Sequence, residues 1–551
     1  MSGIVRNSKY RHVFGKAGKK EECYEGFNPT NSASDGNFIA ANEKFIACCI
    51  TVGGGGAFIV IPIEKTGRLE PDFPKVSAHK EFVLDLQFNP FNDNMLASCS
   101  EDGTIKLWDI PDNGFVTNID DSKALLTLEY HERKCCQLAW HPIASNVLLS
   151  VSQEPKVCIW NLEEGVAEVE ITSHPQLIYS ASWSCKGDKI VTSCKDKKFR
   201  IFDARSGDCL VEGGGHEGSK PSRVIFTFDD TLLFSTGFSK MSERQYACWE
   251  ISGSSINNLD QVDLDTANNV LIPTYDADTQ VVFLSAKGDS NIRYYELVNE
   301  KPYFYYIDTY TTNAPQRGLG AIPKRNVNVN ICEIARFYKL HSVKTGYIEP
   351  TSFCVPRKSE LFQSDLYPDC VSVEPALEAG EWFEGKDAEP RRLDMKELFQ
   401  SKTKTKAVSS GGLKKVGGLK GLKAKKDAKT AAKSETKKSD DVKKTAEHTA
   451  EESSVAATSK ESPHLQKSSA VASQPAIDSK EVHDLKEDIR LLKEADKKNQ
   501  KELKELRDKI KDYDKITNDI KLLCDAVKKN DERISVLENM VESEEEEEGG
   551  E

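Results

Sequence analysis

The chain repeats one pattern of hydrophobic and polar positions, in which a strand-like apolar or aromatic run gives way to polar residues. Seven runs end in this way, and successive ends are 47, 52, 42, 47, 46 and 43 residues apart. Recurrence every 40 to 50 residues or so, with strands inside the repeat, is typical of propeller blades. We therefore predict an all-β fold, a seven-bladed β-propeller. The seven positions are Ile61, Trp108, Trp160, Phe202, Trp249, Tyr295 and Tyr338.

One copy of the repeat reads as a complete WD repeat, which makes the predicted propeller one of WD40 type. Its marker residues have the spacing of the hydrogen-bonded network inside a WD blade, although His, Ser and Asp could also form a hydrolase triad. The second copy has Glu154 in place of the Asp, and the third has Phe202 in place of the Trp. A structural network tolerates such replacements and a catalytic one would not, so we expect a structural role. The marker residues are His79, Ser98, Asp102 and Trp108.

Residues 45–63 form an uncharged run of nineteen residues, which is long enough for a membrane helix. Four glycines, Gly53 to Gly56, lie at its centre, and Pro62 lies near its end. Two β-rich runs around a glycine turn favour a hairpin instead. We therefore expect no transmembrane segment. The start of the chain also lacks the apolar core of a secretory signal.

Composition divides the chain into four parts. Residues 1–390 are rich in aromatic and β-branched residues and are predicted to form the propeller and a post-propeller extension. Residues 391–477 are predicted to be a disordered linker, because a Lys-, Ser- and Ala-rich segment cannot bury enough apolar surface to offset ordering. Residues 478–541 are predicted to form an α-helical coiled coil. Residues 542–551 are an acidic tail, in which seven of ten residues are glutamate.

A closed ring needs its first and last blades locked together, which removes exposed sheet edges. The strand-like segment near Tyr10–Phe14 precedes the first full blade. We expect this segment to complete the seventh blade, around Ile331–Leu340.

Charge and cysteine content narrow the range of functions. The net charge of −13 contrasts with Lys402–Lys444, which holds fifteen lysines and four acids. Acidic actin, RNA or an anionic lipid could attract this segment, and a solvated spacer without a partner fits equally well. The fifteen cysteines include no C-x-x-C pair, so we expect reduced thiols in a cytosolic protein. We predict no cofactor, no metal, no small-molecule substrate and no enzymatic activity.

The coiled-coil prediction depends on apolar residues at alternating three- and four-residue spacing. They form two blocks joined by an extra three-residue step, a stammer that should overwind the supercoil locally. Core chemistry alone favours a dimer, because the a positions of the second block are β-branched. These positions are Ile520, Val527, Ile534 and Val541.

Five strings in the chain are specific beyond a general WD repeat, namely Lys9–Gly15, Gly237–Gln245, Cys332–Leu340, Val355–Gln363 and Asp365–Pro368. Through these strings, from residue 4 to about residue 390, and again in the coiled coil, the chain resembles a coronin. The resemblance implies a seven-bladed propeller, an extension packed on its underside, a variable linker and a C-terminal coiled coil. It also implies a cytoplasmic protein of the actin cytoskeleton and cell cortex that binds actin filaments and regulates the branching Arp complex and cofilin-driven turnover.

The resemblance also extends to oligomerisation. Arg533, Ile534, Leu537 and Glu538 match the Arg-h-x-x-h-Glu motif of coronin coiled coils, where h is apolar, and this implies a parallel homotrimer. The stem of the arginine can cover the core while its head pairs with a carboxylate of a neighbouring helix. The alternative is an ordinary surface ion pair of little energetic value.

One departure from the family concerns filament contact. Many relatives carry a basic residue five positions after the cysteine of a Cys-Tyr-Glu motif and use it in filament binding. Here Cys23–Glu25 is followed by Asn28 at that place. The expected filament contacts are therefore Lys9, Arg11, Lys240 and Arg244.

Together with its coiled coil, the resemblance therefore implies an oligomeric protein that binds actin filaments. The alternative is a WD-repeat scaffold or adaptor whose main partner is not actin. Such a protein could serve a signalling or nucleic-acid complex through the Lys-rich linker.

Overall fold

The structure is a computed structural model that describes residues 8–53, 55–342, 346–359 and 361–404. By its contacts the chain divides into two units, Met1–Lys444 and Thr445–Glu551, and every described residue belongs to the first. The predicted coiled coil, its motif residues, the acidic tail and the linker beyond residue 404 lie outside the described residues.

The described residues form strands, two α-helices and four short 3-10 turns, numbered in chain order. The strands up to the end of the first blade are β1 (Phe14–Ala17), β2 (Tyr24–Glu25), β3 (Ile39–Ala41), β4 (Phe45–Val52), β5 (Gly55–Pro62), β6 (Gly67–Arg68) and β7 (Val76–His79). Those of blades two and three are β8 (Val83–Asn89), β9 (Asn92–Ser100), β10 (Thr104–Asp109), β11 (Leu126–Glu129), β12 (Cys135–Trp140), β13 (Val147–Ser152), β14 (Val157–Asn161) and β15 (Val166–Ile171).

Blades four to seven and the extension continue the series. The strands of blades four and five are β16 (Ile178–Trp183), β17 (Lys189–Cys194), β18 (Lys198–Asp203), β19 (Cys209–Gly214), β20 (Arg223–Thr227), β21 (Leu232–Phe238), β22 (Arg244–Ser252) and β23 (Ser255–Asp265). Those of blades six and seven are β24 (Ile272–Asp276), β25 (Val281–Ser285), β26 (Asn291–Leu297), β27 (Phe304–Thr311), β28 (Gln316–Ala321), β29 (Glu333–His341) and β30 (Tyr347–Cys354). The extension has β31 (Cys370–Val371), α1 (Ala379–Phe383), β32 (Arg392–Leu393) and α2 (Met395–Lys404), and the 3-10 turns are Lys20–Glu22, Asp121–Lys123, Lys324–Asn326 and Val329–Ile331.

The first six blades are four-stranded antiparallel sheets, made of β3, β4, β5 and β7 and then of consecutive fours from β8 to β27. Blade faces pack against their neighbours, so the middle strands are covered on both sides. All six residues of β13 and all five of β25 are buried. Strands covered on both faces read as continuous apolar runs, and these are the runs whose repeat predicted the fold. The seven-bladed WD40-type propeller is confirmed.

Blade seven is closed by the start of the chain. β28, β29 and β30 are joined by β1, whose register with β30 runs from Phe14 opposite Cys354 to Ala17 opposite Thr351. The strand that closes the ring therefore begins at Phe14, four residues after the predicted start at Tyr10. Tyr10 packs in the core of the blade instead, and its hydroxyl donates to the Leu366 carbonyl at 3.0 Å.

One of the seven repeat positions lies on a different strand of its blade from the other six. Six lie in the third strand of their blades, from Ile61 in β5 to Tyr295 in β26, but Tyr338 lies in β29, the second strand of blade seven. The connection between β28 and β29 carries two 3-10 turns, which lengthen the blade. The constant spacing therefore reaches Tyr338 one strand too early.

The antiparallel order gives the ring two faces. Hairpins between second and third strands, together with the connections between blades, open on what we call the upper face. The other connections open on the lower face. The glycine-rich hairpin of β4 and β5 is of the first kind, since Val52 pairs with Gly55. No helix among the described residues is long and apolar enough to cross a membrane.

The extension packs on the lower face through Trp382 of α1. The ring of Trp382 lies 4.8 Å from the His141 ring and 6.0 Å from the Trp183 ring, measured between centroids. The Arg205 guanidinium lies 5.0 Å from the same indole. Met395 of α2 is also fully buried, so packed residues continue beyond residue 390, where we expected the linker to begin.

Candidate functional site

The WD network of blade two is one chain of hydrogen bonds. The Ser98 hydroxyl lies 2.8 Å from Nε2 of His79 and accepts from the indole nitrogen of Trp108 at 2.9 Å. Nδ1 of His79 lies 3.2 Å from Oδ2 of Asp102. Ser98 is fully buried, and its hydroxyl is engaged from two sides, so no substrate could reach it. The network holds the strands of the blade together and lacks the geometry of a hydrolase.

Protonation in these networks is set by burial and by hydrogen bonds. Burial alone would raise the pKa of Asp102, but hydrogen bonds from His79 and Thr104 hold that pKa well below its ordinary value. Burial lowers the pKa of His131, and it lowers the pKa of His216 to about 4. His131 and His216 are therefore mostly neutral near pH 7 and serve as hydrogen-bonding rings.

Blade three keeps the network with a longer acid. His131 lies 2.7 Å from the Ser150 hydroxyl and 3.0 Å from the Glu154 carboxylate, and Trp160 donates to Ser150 at 2.8 Å. The extra methylene of Glu154 is thus accommodated without loss of contact.

Blade four keeps only half of the network. His174 lies 2.8 Å from the Thr192 hydroxyl, while Phe202 has no donor to offer. Asp196 pairs with Arg200 at 2.5 Å, and Nδ1 of His174 has no hydrogen-bond partner among the described residues. The progressive loss from blade to blade fits a structural role.

Blade five contains a further network that the sequence pattern did not reveal. His216 lies 2.8 Å from the Ser235 hydroxyl, and Trp249 donates to Ser235 at 2.7 Å. Gln245 takes the place of the acid, at 3.2 Å from Nδ1 of His216. The serine and the tryptophan are 14 residues apart here and 10 apart in blades two and three. The longer hairpin between Ser235 and Trp249 concealed the network, although Trp249 itself was recognised as a repeat position.

The four predicted filament contacts have different positions. Lys9 and Arg11 are exposed, just before β1. Lys240 is also exposed, with 71% of its side chain accessible, and it pairs with Glu217 at 3.0 Å. The side chain of Arg244 is only 2% accessible. Lys9 and Arg11 precede Phe14, which pairs with Cys354 at the lower-face end of β30, whereas Lys240 lies on the upper face. The three accessible residues therefore do not share one surface, and the prediction of Arg244 as a contact is wrong because its side chain is buried.

Arg244 is buried because two carboxylates surround it. Its Nε and one terminal nitrogen donate to the two oxygens of Asp265, both at 2.6 Å. Its other terminal nitrogen donates to Asp289 in blade six at 2.8 Å. Arg293 adds a fourth charge, 2.9 Å from Asp265. Arg244 therefore fixes the root of the hairpin between β21 and β22.

We call the tip of this hairpin, residues 239–243, the finger. The Ser239 hydroxyl accepts from the backbone nitrogens of Met241 and Glu243, both at 3.2 Å. The backbone nitrogen of Ser239 donates to the Glu243 carbonyl at 2.8 Å. Ser242 adopts a positive φ of 65°. The side chain of Met241 projects from this turn and is 81% exposed.

One upper-face loop, residues 215–221, contacts the hairpin, and a second, residues 195–198, contacts the first. The backbone nitrogen of Gly218 donates to the Phe238 carbonyl, and that of Gly215 donates to the Lys197 carbonyl, both at 2.8 Å. Lys197 donates to the Glu217 carbonyl at 2.6 Å, and the amine of Lys220 lies 4.8 Å from the Phe238 ring. Residues 195–198, 215–221 and 239–243 together hold five lysines and three acids. The upper face of blades four and five is thus locally basic in a chain of net charge −13.

Other cations of the upper face are engaged internally. Lys287 donates to the carbonyls of Ala33 and Ser34, both at 2.8 Å, and Arg317 donates to the Ser32 carbonyl at 2.8 Å. Arg223 donates to the Asp35 carbonyl at 2.6 Å. These contacts fix the loop between β2 and β3, in which Asn28 is exposed.

The described residues hold no group of three or more His, Cys, Asp or Glu side chains that could hold a metal. A central channel of about 600 Å³ is lined by the inner strands, among others by Asp85, Gln137 and Trp183. Burial raises the pKa of Asp85 to about 6. The carboxylate of Asp85 accepts a hydrogen bond from the backbone nitrogen of Leu138 at 2.9 Å, which links blades two and three.

Three family models match the chain. A domain of unknown function (DUF1899) matches residues 3–68, and a type of WD40 repeat matches residues 348–390. The WD domain, G-beta repeat, matches residues 73–109 and 166–203, which contain the networks of blades two and four.

Relatives and solved structures extend the comparison. The chain is 43% identical to coronin-2A of Bos taurus over 396 residues, which are 71% of this chain and 74% of that protein. It is 43% identical to coronin-2A of Homo sapiens over 390 residues, which are 70% and 73% of the two chains. The crystal structure of the WD40 domain of Toxoplasma gondii coronin superimposes with a TM-score of 0.65 at 30% identity, covering 70% of this chain and 97% of that one.

Proposed function

The chain belongs to the coronin family, and from this premise we propose that it is an actin-filament-binding regulator of the cytoskeleton. In this proposal the propeller binds filament subunits weakly, and the coiled coil joins several propellers, so that avidity supplies stable binding. The protein works in the cytoplasm at the cell cortex, where it organises filaments and modulates branching through the Arp complex and turnover through cofilin.

The observation that carries the proposal is the family relation itself, which extends over about 400 residues at 43% identity. The charge of the described surface supports the proposal. Several lysines project from one part of the upper face, and actin is acidic, so the charges are complementary. The polar groups of the WD networks are buried and hydrogen-bonded to one another, so a partner would bind the outer surface of the ring.

The organisation proposed with this function has the propeller and its extension in residues 1–390 and the linker in residues 391–477. The coiled coil follows in residues 478–541, and the acidic tail is residues 542–551. Arg533 and Glu538 are proposed to join neighbouring helices of a parallel trimer, with Ile534 and Leu537 in its core. Family resemblance and sequence register support this arrangement.

Co-sedimentation of the full-length chain with actin filaments tests the proposal. We expect binding that weakens as salt rises, because exposed charges are screened over a Debye length of roughly 8–10 Å near physiological ionic strength. Binding that stays constant across a wide salt series would contradict the electrostatic part. A folded, oligomeric protein that does not pellet with filaments would favour the adaptor function instead.

Replacing Asn28 with arginine should strengthen filament binding. Asn28 is exposed and occupies the place where many relatives carry a basic contact. One added surface charge is worth up to about 1 kcal/mol, which corresponds to an affinity gain of roughly two- to fivefold. Co-sedimentation at constant salt measures the gain, and Asn28→Gln is the neutral control. Equal affinities for all three proteins would show that this loop does not face the filament.

A further inference from the structure

We infer that the finger, residues 239–243, is the element of the propeller that contacts the filament, with Met241 as its apolar anchor and Lys197, Lys220 and Lys240 around it. This inference rests on the proposed function and assigns it a surface. It also gives Arg244 a role, as the positioning residue that holds the hairpin from below.

The first observation is the length of the hairpin. In blades two, three and four, the strand pairing continues for three residue pairs beyond the pair that contains Trp108, Trp160 or Phe202. In blade five it continues for five pairs beyond Trp249, as far as Phe238 opposite Arg244. Two further pairs at about 3.3 Å each extend the hairpin by roughly 7 Å. The finger therefore stands above the neighbouring hairpins.

Blade one also has a long hairpin, but the residues described at its tip offer no side chain that could bind a partner. Its described tip residues include Gly53, Gly55 and Gly56, and the carbonyls of His79 and Glu81 lie close to the last two. The finger carries an amine, a thioether and a carboxylate instead. The finger therefore both extends from the upper face and carries side chains that can bind a partner.

The second observation is the exposure of Met241. A long apolar side chain that is 81% exposed at the end of an ordered turn gains nothing from the fold of its own chain. Burial of a Met side chain is strongly favourable, and Met adapts its shape to irregular surfaces. A partner that covers Met241 therefore gains from a contact that the free protein leaves unused.

The third observation is the rigidity of the finger. Ser239 ties the turn together through its hydroxyl and its backbone nitrogen. Arg244 and Gln245 fix the strand below, since Arg244 is held by Asp265 and Asp289 and Gln245 donates to Asp263 at 2.6 Å. A contact element that is ordered before binding loses less conformational entropy on binding. The geometry suits a tip that inserts into a surface of fixed shape.

The fourth observation is the charge around the tip. Lys197, Lys220 and Lys240 lie on loops joined by backbone hydrogen bonds, and the partners of their amines are carbonyls or exposed groups. Exposed pairs of this kind are worth little and exchange partners readily. An acidic surface can therefore recruit these lysines while Met241 is buried at the centre. Apolar anchors inside a polar rim are the usual arrangement of binding hot spots.

The experiment uses the full-length chain in co-sedimentation with actin filaments at constant salt. Met241→Ser and Lys240→Glu are the test variants. Val116→Ser is the matched apolar control, because Val116 is 85% exposed on the lower face. Lys186→Glu is the matched charge control, because Lys186 is half exposed on the lower face and pairs with the exposed Glu389. Thermal unfolding should be the same for all five proteins, since every changed side chain is at the surface.

We expect Met241→Ser to weaken filament binding about tenfold, which is the typical loss at an interface anchor. Lys240→Glu should weaken binding several-fold and should also reduce its dependence on salt. Both controls should bind like the original chain. A photo-crosslinking benzoylphenylalanine in place of Met241 should join the chain to actin, and the same group in place of Val116 should not.

The outcomes separate this inference from the proposed function. If the original chain does not bind filaments, the proposed function fails. If the original chain binds filaments and both test variants bind as tightly as it does, the finger is not the contact. The inference is then overturned, while the proposed function stands. A crosslink from the Val116 position alone would overturn it too, because the lower face would then be the one that meets the filament.

Discussion

Replacing Arg244 with methionine should lower the free energy of unfolding of the propeller by about 3 kcal/mol. Methionine keeps most of the stem volume, but it leaves Asp265 and Asp289 without the guanidinium that lies between them. Removing one partner of a buried ion pair costs about 3–5 kcal/mol, because the other charge stays buried. Arg293 still lies beside both carboxylates, so we expect the lower end of that range.

Urea unfolding of the full-length chain at pH 7 measures this loss. The control is Lys240→Met, which removes a cation that is 71% exposed and should change stability by less than about 0.5 kcal/mol. The double variant Arg244→Met, Asp265→Asn also removes one of the two carboxylates left without Arg244, so it should regain part of the lost stability. Arg244→Met with the same unfolding midpoint as the control would show that the pair contributes nothing.

The loss should depend on pH in a defined direction. Burial alone would raise the pKa of Asp265, but hydrogen bonds from Arg244 outweigh it and hold the pKa below its ordinary value. A lowered folded-state pKa means that the contribution is complete above the unfolded value, about 3.9, and disappears as pH falls through the folded value. The difference between the two proteins should therefore be full at pH 7 and should narrow below about pH 4.

The sequence predicted the ring well, because a propeller repeats its physical constraints. Each blade needs middle strands that are apolar on both faces, so the runs ending at Trp108, Trp160 and Trp249 recur at nearly constant spacing. Closure by an N-terminal strand follows from the same reasoning, since an open ring would expose two edges. The exact start of that strand could not be predicted, because the alternation of residues from Tyr10 to Phe14 fits a strand as well as it fits a loop whose apolar side chains pack in the core.

The interaction surface was less predictable, because charge in a sequence does not reveal burial. Lys240 and Arg244 are four residues apart on one hairpin, yet one is a surface cation and the other is surrounded by carboxylates from two blades. Asp265 and Asp289 are distant in sequence, so no local pattern connects them with Arg244. The network of His216 and Ser235 was missed because the long hairpin moves Trp249 four residues beyond the spacing of the other blades.

Replacing Arg533 with alanine should produce the largest change in filament binding. If Arg533 and Glu538 join neighbouring helices of a trimer, the substitution exposes part of the apolar core. It also leaves one Glu538 without its partner in each of the three seams between helices. The a and d residues alone favour a dimer, so the variant should form a less stable stalk with fewer propellers. Linked binding modules gain about 10²–10⁴ in avidity over single ones. We expect affinity to fall about tenfold for a dimer and at least 10²-fold for a monomer.

Sedimentation equilibrium of the full-length chain, paired with co-sedimentation, decides between these outcomes. Lys528→Ala is the matched control, because Lys528 occupies an outer b position in the same register and should leave the trimer intact. Arg533→Lys keeps the charge but loses the planar head that pairs with a carboxylate through two bonds, so its effect should be intermediate. The two measurements must change together, since avidity makes affinity a function of the number of linked propellers. An original chain that sediments as a dimer or a tetramer would reject the trimer, and an oligomer lost without loss of affinity would reject avidity as the mechanism.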